Sequence, residues 1–202
     1  MFDLPKKHFK AILADPPWRF KTWNNATEIV RRSQPKGFAA VHYSTMTLED
    51  IAALPVSELA ADDVALFLWI CWPLLFESKV ILDGWGFEYK SCAFSWMKAH
   101  AGQIEMFQDD YDPLMSNGYW TRSSNEVCLL ATRGRPIRLN ADVRQGIIEP
   151  RREHSRKPDC VHSRIERLVA GPYLELFARK EIPGWTCWGD QVTKFNEIRS
   201  TL

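Results

Sequence analysis

Short apolar runs alternate with amphipathic stretches along this chain. Ala11–Ala14 is apolar throughout and reads as a buried strand. Further on, Thr47-Leu48-Glu49-Asp50 has the form of an N-cap with an acidic first turn. Leu48, Ile51, Ala52 and Leu59 continue it as an amphipathic helix broken near Pro55. Val64–Ile70 is apolar without interruption, as expected of a parallel strand covered on both faces. Leu74–Leu82 reads as a helix stopped at Gly84, and Phe87–Met97 as a strand with Lys98 just past its end. Asn125-Glu126 then leads the strand Val127–Thr132. Lys157-Pro158-Asp159 opens a helix whose apolar stripe is Val161, Ile165, Leu168 and Val169. Gly171-Pro172 stops it, Tyr173–Ala178 is the next strand, and Trp185–Trp188 follows the Pro183-Gly184 turn. Strands alternating with helices predict an α/β fold with a mostly parallel sheet. Such sheets bind ligands beyond the carboxyl ends of their strands, and Asp15, Glu126, Arg179 and Asp190 fall at or just past predicted strand ends.

Two segments break the pattern. Residues 21–42, with Lys21, Arg31, Arg32 and Lys36, have the composition of a solvated insertion or a flap. Residues 99–124 set Phe107, Tyr111, Tyr119 and Trp120 among polar residues, as stacking platforms for unpaired bases or as anchors for a long loop. With both counted as insertions, residues 1–202 read as a single domain. Hydrophobic residues make up 46% and charged residues 25%, which places the chain among globular proteins. At a net charge of +1, any nucleic-acid surface has to come from local clustering. Arg133, Arg135, Arg138, Arg144, Arg151, Arg152, Arg156 and Lys157 form one dense basic tract, suited to phosphate contacts or to a solvated face. No leader or apolar run of spanning length is present, so a cytoplasmic protein without membrane contact is expected. Cys71, Cys92, Cys128, Cys160 and Cys187 show no paired spacing and read as buried free thiols. The five histidines make no ligand pattern, so no metal is expected. No G-x-G-x-x-G follows a predicted strand, which disfavours a dinucleotide-dependent oxidoreductase.

The most informative stretch is Asp15-Pro16-Pro17-Trp18. Its prolines fix φ and lack an N–H, so a stiff loop presents a carboxylate, a free carbonyl and an indole together. On its own this is either a turn after a strand or a pocket for a planar base with an exocyclic amine. Adenine is such a base. Its N6 lone pair is delocalised into the ring. Acceptors at Asp15 and the Pro16 carbonyl, one for each N6–H, would let that nitrogen pyramidalise towards an electrophile, with Trp18 stacked on the ring.

An ordered set of short motifs extends this beginning: Asp15-Pro16-Pro17-Trp18, Tyr43-Ser-Thr-Met, Leu66-Phe-Leu-Trp69, Trp96-Met-Lys98 and Asn125-Glu126. Lys157-Pro158-Asp159, Ile165-Glu-Arg-Leu168, Glu175-Leu-Phe177-Ala-Arg179 and Trp188-Gly-Asp190-Gln191 complete it. In this order, from Phe9 to Gln191, the chain resembles the MT-A-seventy family of S-adenosylmethionine-dependent N6-adenine methyltransferases. The resemblance implies a Rossmann-like methyltransferase sheet with helices on both faces and a permuted order, catalytic motif first and cofactor motif last. It implies Asp15, Pro16, Pro17 and Trp18 as catalytic residues, and Tyr43, Trp69, Lys98, Arg122, Asn125 and Glu126 as the substrate-binding set. S-adenosylmethionine would be held by Asp15, Lys157 (at its carboxylate), Leu176, Phe177, Arg179, Asp190 and Gln191. Ala178 stands where the family often has Gly, Asp190 where it often has Asn, and Lys180-Glu181-Ile182 is a shorter connection than usual. The short chain suggests a stand-alone bacterial or phage enzyme acting on DNA, compatible with a homodimer. RNA adenosine methylation, or a non-catalytic nucleic-acid-binding partner subunit, is the alternative.

Overall fold

In a computed structural model, residues 5, 8–19, 45–100, 114, 120–153 and 155–196 are described. Their strands are β1 (Phe9–Ala14), β2 (Ala60–Ile70), β3 (Glu88–Ala99), β4 (Asn125–Arg133), β5 (Gly146–Pro150), β6 (Tyr173–Leu176) and β7 (Trp185–Trp188). They form one mixed sheet in the order β5-β3-β4-β2-β1-β6-β7. β1 pairs in parallel with β2 and β6, β6 with β7, and β3 with β5, whereas β4 runs antiparallel to both β2 and β3. Among the described strands only β4 is reversed. Its amino end therefore lies at the edge where the other six strands finish.

Side-chain alternation sends the two halves of each strand to opposite layers. On one face Ile12, Ala14, Leu66, Leu68, Leu129, Leu174 and Leu176 meet the helices α1 (Leu48–Ala52), α2 (Val56–Leu59) and α3 (Lys79–Trp85) through Ile51, Val56, Leu59, Ile81 and Trp85. On the other face Ala11, Leu13, Ala65, Phe67, Trp69, Phe94 and Trp96 meet α4 (Cys160–Leu168) through Val161 and Ile165. Helices thus cover both faces, as expected of an α/β methyltransferase fold. No helix among the described residues is long and apolar enough to cross a membrane.

Several local expectations need correction. The helix expected at Leu74–Leu82 begins as a 3-10 turn at Trp72–Leu74 and becomes α-helical at Lys79–Trp85. Gly84 does not stop it. A Cβ there would come 2.8 Å from the Ala52 carbonyl oxygen, so Gly84 lets α1 and α3 approach, and the left-handed Gly86 (φ 76°) ends the helix. The Trp85 indole donates to the Ile51 carbonyl at 2.9 Å across the same contact. Lys98 lies inside β3 rather than past its end. β5 is an unanticipated edge strand, where the terminal Pro150 is tolerated. The basic tract is split between the two ends of the sheet. Arg133, at the far end of β4, donates to the carbonyls of Ser57, Ala60 and Ala61, whereas Arg151, Arg152, Arg156 and Lys157 follow the carboxyl end of β5. The five cysteines are free thiols, with Cys128 fully buried and the other four partly so. Residues 21–42 with their expected flap, and Tyr43, Phe107, Tyr111 and Tyr119, lie outside the described residues.

Candidate active site

Asp15 follows β1 at the edge where β2, β6 and β7 also finish and β4 begins. Its neighbour Pro17 is tied to the segment before α1, since the Met46 N–H donates to the Pro17 carbonyl at 2.9 Å and the Arg19 N–H donates to Met46 at 3.1 Å. The Pro16 carbonyl already accepts the Trp18 N–H at 2.8 Å, which leaves its second lone pair. This fixes the carboxylate at the mouth of a cleft.

Two cations from the last third of the chain close on that carboxylate. Lys157, just before α4, donates from Nζ to both Asp15 oxygens at 2.9 Å. Arg179, just after β6, donates from Nη1 to Oδ2 at 2.8 Å and to the Ser155 carbonyl at 2.8 Å. The chain of charges continues through Glu126 at the start of β4, 3.2 Å from Lys157 Nζ and 2.6 Å from Lys98 Nζ. Burial alone would raise the Glu126 pKa, but Lys157 and Lys98 outweigh it and hold the carboxyl down at about 2. Burial likewise acts against the Lys157 charge, and Asp15 and Glu126 reverse it, so this ammonium stays protonated well above the usual lysine range. Three cations face two carboxylates here, an excess of one positive charge. Such a cluster can receive one further anion. Cys71, beside these charges, is pushed up to about 12 by burial, so its thiol is not a nucleophile at neutral pH.

The cleft encloses about 530 Å³ of empty space, counting its solvent-open part. Its lining includes Asp15, Trp69, Lys157, Phe177 and Arg179. Phe177 takes a left-handed backbone (φ 61°) between β6 and Ala178, and its ring meets Trp188 edge-on at 5.8 Å. The remaining expected residues are placed otherwise. Leu176 is fully buried on the opposite face, because β6 alternation turns Glu175, not Leu176, towards α4. Asp190 is exposed, and Gln191 accepts from Lys194 at 3.0 Å; neither lines the cleft. Asn125 accepts the Trp72 indole N–H at 3.1 Å, and Arg122 is exposed ahead of β4. Trp18, expected to stack on a base, packs into the core. It is 5% exposed and packed in the layer of α1–α3, where burying an indole outweighs leaving it open to a base. Its Nε1 and that of Trp69 are buried without a hydrogen-bond partner.

Two features of the wall escaped the sequence reading. His162 on α4 lies 2.8 Å from Glu175 on β6, and both line the cleft. The left-handed Ser155 presents its carbonyl to Arg179. Parity along β6 would have exposed Glu175; nothing local marks Ser155.

S-adenosylmethionine is the cofactor the resemblance implies, and the cleft fits its chemistry. It pairs a cation excess, which suits a carboxylate, with an acidic acceptor and a buried aromatic wall. The family model described as MT-A70 matches residues 9–191. The chain is 32% identical over 202 residues to the type II methyltransferase M.MunI of Mycoplasma sp, covering 94% of this chain and 80% of that protein. It is 28% identical to the human N(6)-adenine-specific methyltransferase METTL4 over 200 residues, covering 96% of this chain but 39% of METTL4. It is also 28% identical to the human N(6)-adenosine-methyltransferase catalytic subunit METTL3 over 188 residues, which is 91% of this chain and 28% of METTL3. With most of its length matched by the family model and four-fifths of M.MunI covered, the chain belongs to the MT-A70 family.

Proposed function

We propose that this protein is an N6-adenine methyltransferase that acts on DNA. The observation that carries the reading is the meeting of Asp15 and Lys157, 142 residues apart in sequence, at 2.9 Å in one cleft. The catalytic motif stands first in the chain and the donor-binding residues last, the permuted arrangement expected of this family.

When bound, S-adenosylmethionine supplies an electrophilic methyl group on a sulfonium. Lys157 would hold the donor's carboxylate and Arg179 its ribose, with Phe177 as wall. Gln191 and Asp190, which lie outside the cleft lining, would have to move to reach the donor's ribose and adenine. Asp15 and the free lone pair of Pro16 accept the two N6 hydrogens of a base turned out of its stack. These acceptors aim the nitrogen lone pair and stabilise the positive charge that develops on it. Positioning of the base nitrogen by these acceptors would supply most of the rate. The methylated nitrogen is acidic enough to release its proton to Asp15 or water, so no strong general base is required. Trp69 and Pro17 bound the base pocket. Trp18 holds the loop from beneath.

DNA is favoured because M.MunI, a type II methyltransferase, is covered over 80% of its length, whereas METTL3 is covered over 28%. Incubation with methyl-labelled donor and matched duplex DNA, single-stranded DNA and RNA tests the assignment. Label in duplex DNA is expected. Label in RNA only would move the function to RNA adenosine, and binding without label would identify a non-catalytic subunit.

A further inference from the structure

Glu126 was expected to touch substrate, yet both of its oxygens are committed. Oε1 lies 2.6 Å from Lys98 Nζ, and Oε2 lies 3.2 Å from Lys157 Nζ. Each lysine also rests over an indole, with Lys157 5.5 Å from the Trp69 ring centre and Lys98 5.3 Å from that of Trp96. Trp96 is the residue opposite Glu126 in the β3–β4 ladder, so the strand register itself sets this stack. Lys98 is nearly buried, 9% exposed, and Glu126 is the carboxylate that lets it stay there charged. A side chain bridging two lysines in this way cannot turn to a base edge without abandoning one of them.

We infer that Glu126 is a positioning residue that ties Lys157 to Lys98 and so holds the Lys157 ammonium in the cleft when Asp15 turns to substrate. The inference rests on the reading of the cleft as the shared donor and base site. Asp15 accepts two hydrogen bonds from Lys157 and one from Arg179. About four acceptor positions exist on a carboxylate, so little capacity is left for an exocyclic amine. Lys157 has to yield at least one Asp15 oxygen before the base is gripped. With no second anion, that withdrawal would leave a partly buried ammonium unpaired, a costly state. Glu126 provides the second anion, from a strand rather than a loop, and therefore at a fixed position. Lys98 prevents Glu126 from following Lys157 out of place.

The charges facing Lys157 are Asp15 from the loop after β1, Glu126 from β4 and Arg179 from the loop after β6. Lysine 13Cε resonances of the full chain, followed against pH by NMR, test the inference directly. The comparison is between wild type, Glu126→Gln and Glu126→Asp, with the exposed Lys79, paired with Asp83, as internal control. In Glu126→Gln the Lys157 titration is expected to move to lower pH than in wild type, while that of Lys79 does not move. Glu126→Asp, which keeps the charge but shortens the reach, is expected to fall between, and decides the question if Glu126→Gln does not fold. A Lys157 midpoint that matches wild type in the folded variant overturns the inference. Adding S-adenosylhomocysteine separates this from the functional reading. A shift of the Lys157 resonance in wild type is expected. No shift, together with a lowered midpoint in Glu126→Gln, would remove the donor site and leave the role of Glu126 standing.

Discussion

Replacing Asp15 by Asn keeps the shape of the side chain and removes its charge. The effect follows from its partners. Asp15 accepts from Lys157 twice and from Arg179 once, at 2.8–2.9 Å. A hydrogen bond to a charged group contributes about 1.5–3 kcal/mol, and orphaning a buried charge costs about 3–5 kcal/mol. Neither cation is orphaned here, because Lys157 keeps Glu126 and Arg179 keeps the Ser155 carbonyl. The loss therefore belongs near the single-bond figure, about 2–3 kcal/mol. For a domain of this size that lowers the melting temperature by roughly 4–12 °C. Turnover should fall at least about 10²–10³-fold, the usual consequence of removing one preorganised group at a developing charge. Donor binding should survive, because the cation excess grows when Asp15 is neutral. Thermal denaturation, calorimetry with S-adenosylhomocysteine and a methyl-transfer assay on one preparation read all three. Asp15→Asn with turnover within tenfold of wild type would refute the mechanism. An unchanged melting temperature would refute the ion cluster.

Trp18→Ala should act through stability before it acts on substrate. Removing a core indole costs about 3–5 kcal/mol, and Trp18→Phe should restore most of the melting temperature. A Trp18→Ala variant as stable as wild type but weak in substrate binding would instead return Trp18 to a stacking role. Acid stability should follow Glu126. Its folded pKa of about 2 lies below the ordinary 4.5, so the unfolded chain binds the proton more readily. Its stabilisation is then complete above about pH 4.5 and lost as the pH falls through about 2. Urea unfolding at stepped pH should show that decline, shallower in Glu126→Gln; equal declines would count against the paired carboxylate.

The elements legible in the sequence were those whose signal is local. Trp185–Trp188 forms β7 with the expected ends, Thr47 caps α1 by accepting from the Asp50 N–H, and the Val161/Ile165 stripe of α4 is buried. What escaped depended on partners. Nothing in Val127–Thr132 encodes that β4 runs backwards, yet that reversal brings Glu126 to the edge occupied by Asp15. Gly84 and Gly86 both look like a helix stop, and the distinction lies in the Ala52 carbonyl packed against Gly84. A set of expected site residues was legible through the resemblance. Its contacts were not, because the bonds from Lys157 to Asp15 and Glu126 link distant segments. The burial of Trp18 is not legible locally, because an indole after a strand looks the same whether it faces the cleft or the core.

Methyl transfer to the exocyclic nitrogen of adenine is the reaction proposed for the Asp15 cleft. Its most direct test is mass spectrometry of nucleosides released from adenine-containing duplex DNA after incubation with S-adenosylmethionine and the wild-type or Asp15→Asn protein. N6-methyladenine is expected from wild type and essentially none from the variant. Methylation at another base or atom, or equal N6-methyladenine from both proteins, would contradict it.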